Sequence, residues 1–193
     1  MPRFIAFLRA INVGGGRTVK MESLRQVFKS LGFSGVETFI ASGNVVFEAT
    51  TENTKTLEGK IEESLQEALG YEVATFVRTE AELAQVVDYR PFQQSEVGVA
   101  EVNIIFLKDP LDEALRQNVI ALRTATDEFH VHGCEIYWLR RKKQDTSTFS
   151  TAPLASTLGR PFTIRSAKTV SRIAVKYASA KGAVPPSSVL RYM

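Results

Sequence analysis

The 193-residue chain holds one cysteine, two histidines and one tryptophan, and each scarcity closes off a class of protein. Cys134 alone can form no internal disulfide, which excludes the stapled scaffold of a small exported domain and points to a reducing compartment. Long apolar runs are also missing. The first of them, residues 4–8, stops at Arg9, far short of the ~20 residues that a membrane helix needs. A cytoplasmic protein without membrane association is therefore expected. Neither G-x-G-x-x-G nor G-x-x-x-x-G-K-[ST] occurs, and G-x-S-x-G is absent too, so no established nucleotide loop or nucleophile elbow is present. Ser42 and Cys134 remain as nucleophiles without a recognisable histidine and aspartate beside them. No catalytic residue is assigned on this basis, and whether the chain is an enzyme stays open. His130, His132 and Cys134 alternate along a predicted strand and offer donors that zinc or copper accepts, but the turn at Gly133 breaks their alignment and no fourth ligand lies nearby. No metal and no cofactor are expected.

Charge is present but unevenly spread. Residues 1–90 hold 10 basic and 12 acidic side chains, residues 91–193 hold 14 and 9, and residues 136–193 hold 11 basic ones against the single acid Asp145. A negatively charged partner becomes a natural candidate.

The apolar periodicity predicts an α+β protein. Residues 3–10 read as a buried strand running into a loop at Asn12-Val13-Gly14-Gly15-Gly16. Met21, Leu24, Val27, Phe28 and Leu31 recur at helical spacing and Gly32 follows as a C-cap. Residues 36–41 and 44–47 form two strand-like runs around the hairpin residues Ser42-Gly43, and Leu57, Ile61, Leu65 and Leu69 mark a second helix before a strand at residues 73–77. This βαββαβ order is the ferredoxin-like arrangement. Thr79 and Glu82 then fit a capping box. The pattern restarts with a strand at residues 102–107, a helix expected to begin at Asp109-Pro110, and strands at residues 129–131 and 136–139. Two helices follow, one ending at Gly159 and one running from about Ser166 to Ala180. Two related units packed together are expected, residues 1–79 and 80–193, with mainly antiparallel sheets and helices on one face, although no internal residue identity stands out. The tail after Gly182, with Pro185-Pro186, should be extended.

The opening residues resemble the uncharacterised bacterial family catalogued as domain of unknown function 1697. The resemblance rests on Arg9, Ile11, Asn12, Val13, Gly14 and Gly15, on Lys20-Met21 and Leu24, and on Ser42-Gly43-Asn44-Val45-Val46-Phe47. It implies an α+β fold and carries no activity with it. The family's late Thr-x-Arg-Asn-Trp-Asn-Thr-like segment corresponds here to residues 163–169, where Arg165 and Thr169 match while Ser166, Ala167 and Lys168 do not.

Two constellations point to an anionic partner. In a ferredoxin-like unit the first two strands run parallel, so the loop after the first strand and the turn between the second and third should meet at one rim. That brings Arg9, Asn12, Gly14, Gly15, Gly16 and Lys20 towards Ser42 and Asn44, with backbone amides and a helix N-terminus suited to a carboxylate or phosphate. The rival reading is a glycine loop required only by backbone geometry. The second constellation is a basic surface: Arg165, Lys168, Arg172 and Lys176 at helical spacing, joined by Arg140, Arg141, Lys142 and Lys143. Neutralised phosphates supply much of non-specific nucleic-acid affinity, which makes a polyanion the matching partner; the rival is an ordinary solvated face. A binding protein for an anionic ligand, with nucleic acid among the candidates, is the first expectation. An enzyme acting on a phosphorylated or carboxylated metabolite, oriented by Asn12, Ser42 and Asn44, is the second. A structural module that dimerises through its tail is the third.

Overall fold

A computed structural model describes residues 1–12, 18–51, 53–93, 100–141 and 150–177. The chain divides into two compact units, Met1–Gln85 and Val86–Met193.

The first unit runs β1 (Arg3–Leu8), α1 (Met21–Ser30), β2 (Ser34–Thr38), β3 (Asn44–Glu48), α2 (Thr54–Leu69) and β4 (Thr75–Thr79), and leads into α3 (Glu80–Asp88). Its antiparallel sheet has the order β2-β3-β1-β4. Strand alternation sends Phe4, Ala6 and Leu8 to one face, where they meet Val45, Phe47, Leu24 and Phe28 of α1, and Leu57, Ile61 and Leu65 of α2. Ile5, Phe7, Val46 and Phe76 point to the other face and are equally buried. Burial on both faces explains why β1 reads as a continuous apolar run rather than an alternating one. The capping box forms as the spacing predicts: the Glu82 amide donates to Thr79 Oγ1 at 3.1 Å and the Thr79 amide to Glu82 Oε2 at 2.8 Å.

The second unit repeats the plan with β5 (Ala100–Phe106), α4 (Glu113–Ile120), β6 (Asp127–His132), β7 (Glu135–Arg141), α5 (Ala152–Leu158), β8 (Thr163–Ser166) and α6 (Ala167–Tyr177). Its sheet order is β6-β7-β5-β8, the same permutation. Two corrections to the sequence reading arise here. The fourth strand, β8, occupies residues that the helical spacing of Arg165 had suggested for a helix; pairing with β5 claims them instead. The fourth helix starts at Glu113 rather than at Pro110, because Asp112 Oδ1 accepts the Leu115 amide at 2.8 Å and sets the cap there.

Strand register reveals a repeat that residue matching had missed. Ile5 pairs with Arg78 and Ile104 with Arg165, while the Leu8 amide donates to Gly43 O at 2.8 Å and the Leu107 amide to Cys134 O at 2.9 Å. Ile5-Ala6-Phe7-Leu8-Arg9 therefore superposes on Ile104-Ile105-Phe106-Leu107-Lys108. Arg78 and Arg165, at matching positions, each donate to the carbonyl of the preceding residue, at 2.9 Å and 2.8 Å.

Edge strand β4 is closed by side chains. Its register leaves the Thr75, Val77 and Thr79 amides pointing away from β1. Carboxylates of Glu62, Glu58 and Glu82 accept them, each at 2.8 Å. Glu62, one turn from Glu58 on α2, lines the same edge.

Candidate functional site

The loop after β1 and the β2–β3 turn meet at one rim of the first sheet. β1 and β2 both pair antiparallel to β3, hence run parallel to each other, and this brings the end of one to the end of the other. Asn12 ties the two together. Its Nδ2 donates to Val19 O at 3.0 Å and to Ala41 O at 3.3 Å, and its Oδ1 accepts the Val19 amide at 2.7 Å. Both functional atoms of Asn12 are thus engaged in clamping the loop ends. Truncating it in Asn12→Ala is expected to lower the stability of the first unit by about 1–2 kcal/mol in a denaturant titration, with increased hydrogen exchange at Val19.

Backbone strain gathers at the same rim. Among the described residues, the non-glycine positions with positive φ are Ala10 (56°), Asn12 (56°) and Ile40 (51°). Asparagine visits this region readily, whereas a β-branched isoleucine there is a genuine outlier. No sequence signal marks Ala10 or Ile40, because nothing in either residue type favours φ > 0. Gly43, at φ 70°, closes the turn. A Cβ there would lie 2.9 Å from Ile11 Cβ and 3.2 Å from Leu8 Cβ, so here glycine is required by space as well as by conformation.

The other rim residues divide by role. Asn44 is fully buried, and its Nδ2 donates to Phe39 O at 3.0 Å and to Ser42 Oγ at 2.9 Å. It builds the turn. Arg9 and Lys20 are exposed, and Lys20 is the N-cap residue of α1 with no side chain capping that terminus. The acid in the first turn, Glu22, is engaged by Arg25 and Gln26, and the bond from Arg25 holds its carboxyl below the usual range. Gly14, Gly15 and Gly16 lie outside the described residues.

The basic surface is less continuous than its sequence suggests. Arg165 sits on β8, not on the final helix. Its guanidinium donates to Thr163 Oγ1 and Ile164 O, both at 2.8 Å, and burial draws its pKa down to about 10. Arg140 lies 5.1 Å over the Trp138 ring, and Arg141 forms a 2.9 Å ion pair with Glu128. Lys142 and Lys143 lie outside the described residues, as does the tail from residue 178 onward. Lys168, Arg172 and Lys176 do share an exposed face of α6, with Lys176 Nζ 2.8 Å from Tyr177 Oη. Ser166 Oγ accepts the Thr169 amide at 3.1 Å and caps the start of α6.

His130 and His132 project to the same side of β6, as alternation predicts. Cys134 lies beyond the strand, in the turn. Among the described residues no group of three or more histidine, cysteine, aspartate or glutamate side chains is arranged to hold a metal ion. No described helix is long and apolar enough to cross a membrane.

A family model described as "Protein of unknown function (DUF1697)" matches residues 1–137. The chain belongs to that family. Among solved structures it is similar to the conserved bacterial protein SP0830 from Streptococcus pneumoniae, with a TM-score of 0.70 and 24% identity over 90% of this chain and 97% of that one. The likeness in fold takes in both units. No curated protein matches.

Proposed function

We propose that this protein binds a small anion, a carboxylate or a phosphate, at the rim between the β1–α1 loop and the β2–β3 turn. One observation carries the reading: every described non-glycine residue with positive φ lies there. Such conformations cost of order 1–3 kcal/mol each and persist where the surroundings over-determine them, commonly at ligand clamps. The adjoining features are of the matching sign. The N-terminus of α1 carries the positive end of a helix dipole and has no side-chain cap, Lys20 is exposed at that terminus, and Arg9 is exposed at the end of β1. Binding is favoured over catalysis because, among the described residues, no nucleophile and base pair accompanies these groups. A small ligand is favoured over nucleic acid because strand pairing, ring stacking and the Glu128 ion pair take Arg165, Arg140 and Arg141 out of the basic run.

Titration with inorganic phosphate at low ionic strength, followed by amide chemical shifts, tests this. Saturable shifts at Met21, Glu22 and Ser23 are expected, and they should weaken severalfold in Lys20→Ala and more in Arg9→Ala combined with it. The reading fails if those amides do not move. The same titration with a single-stranded oligonucleotide separates the rival: shifts confined to Lys168, Arg172 and Lys176, with strong salt dependence, would assign the anion to α6 instead.

A further inference from the structure

Both histidines of the chain contact one tyrosine. Tyr89, the residue after α3, places its Oη 2.7 Å from His130 Nε2 and stacks on His132 with ring centroids 3.9 Å apart and an interplanar angle of 11°. Tyr89 and His130 are half-buried and His132 is exposed, so small molecules in solution reach the cluster. We propose that Tyr89 is the residue from which this protein gives up an electron to a diffusible one-electron oxidant, a peroxyl radical or a high-potential metal complex, with His130 as the acceptor of the phenolic proton.

The step balances within the pair. One electron passes from the phenol to the oxidant; a peroxyl radical so reduced takes a proton from water and leaves as a hydroperoxide. The Tyr89 O–H bond breaks and an N–H bond forms at His130 Nε2, which leaves a neutral phenoxyl radical beside an imidazolium. Ascorbate returns the electron and His130 the proton, so the protein loses no atom. An oxidised phenol is a strong acid, and it forms more readily where a base already lies within hydrogen-bond reach. A neutral imidazole offers that base at Nε2 when its own proton is on Nδ1. Burial first, then Arg116 and His132, lower the pKa of His130, with Glu128 acting the other way, and the ring is neutral above the ordinary histidine range.

Competing rings are placed less well. The Tyr137 hydroxyl donates to Val86 O at 3.1 Å, and a backbone carbonyl is no base for its proton. Tyr177 Oη accepts from the Lys176 ammonium at 2.8 Å, a charge that opposes loss of an electron. Trp138 donates to a carboxylate, Asp127 Oδ1, at 2.8 Å, but it is buried and Arg140 lies 5.1 Å over its ring, where a cation disfavours an electron-poor indole.

Flash photolysis of the full chain at about pH 8, above the ordinary histidine range, provides the test, with photogenerated tris(bipyridyl)ruthenium(III) as oxidant and electron paramagnetic resonance as readout. A phenoxyl signal is expected. Tyr89→Phe should cut its yield severalfold, and Tyr71→Phe should leave it unchanged. His130→Gln still accepts a hydrogen bond but takes up no proton, and it should slow the appearance of the signal about a hundredfold, the lower end of what a positioned base contributes. Parent-like kinetics in His130→Gln would overturn the proposal, as would an undiminished signal in Tyr89→Phe or its loss in Tyr71→Phe. An indolyl signal, or none, from the parent chain would overturn it as well.

Discussion

Replacing Gly43 with alanine should destabilise the first unit by about 3 kcal/mol, the sum of a left-handed backbone that disfavours a side chain and a methyl group forced into packed neighbours. The neighbours leave little room to give. Ile11 Cβ and Leu8 Cβ are the near ends of buried side chains, and the third close atom, Leu8 O at 3.2 Å, belongs to the backbone. The Leu8 amide also donates to Gly43 O, so any shift of the turn pulls on the strand pairing of β1 and β3. Urea titration should show a lowered midpoint, and the resonances of Asn12 and Val19 should move with those of the turn, because Asn12 bridges the two segments. A stability within 0.5 kcal/mol of the parent, the scatter typical of neutral surface changes, would mean that the rim is not the tightly coupled element described above. As a control, Gly70→Ala shares a positive φ but has no atom within 4 Å of the new Cβ. Its cost should be the conformational part alone, about 1 kcal/mol.

Glu58→Ala should cost about 2 kcal/mol despite placing the best helix former in the middle of α2. Glu58 is buried, and its Oε1 accepts the outward Val77 amide of β4. Removing the carboxylate strands a buried donor. Glu58→Gln keeps an acceptor at the same place and should lose less than half as much. Glu62 is only partly buried, so water can replace it at Thr75 and its single truncation should be mild. The double variant is the informative one. It uncovers two of the three outward amides of an edge strand, and exposed edges recruit other strands, so concentration-dependent association should appear in size-exclusion chromatography where the parent shows none. Thermal melts of both single variants and light scattering of the double one check these outcomes together.

Much of this architecture was legible in the residues. The apolar strand before Arg9, the helical stripe through Leu24 and Phe28, the Ser42-Gly43 turn and the Thr79–Glu82 capping box are local signals, each set by interactions within a few residues, and each formed as read. Where the reading failed, a distant partner had intervened. Arg165 fits a helical spacing with Lys168, Arg172 and Lys176, but β5 offers a free edge and takes residues 163–166 into the sheet. Arg140 and Arg141 look like the start of a basic patch until Trp138 and Glu128 line up with them across β7 and β6. The repeat escaped residue comparison because only a few apolar identities remain, whereas hydrogen-bond register preserves the correspondence directly.

At the candidate site the same division holds. That the residues after β1 meet the Ser42-Gly43 turn follows from the βαββαβ order. Which atoms face outward does not. Asn12 and Asn44, both suggested as ligand contacts, are spent on Val19, Ala41, Phe39 and Ser42, while the strained positions Ala10 and Ile40 carry no mark in their residue types.

Composition and periodicity by themselves settled the class of this protein, α+β, because burial of apolar residues is a local pattern summed along the chain. Only the folded arrangement decided which charges are neutralised, which amides are covered and which backbone is strained, since those depend on groups tens of residues apart being brought within 3 Å or so of one another, the reach of a hydrogen bond.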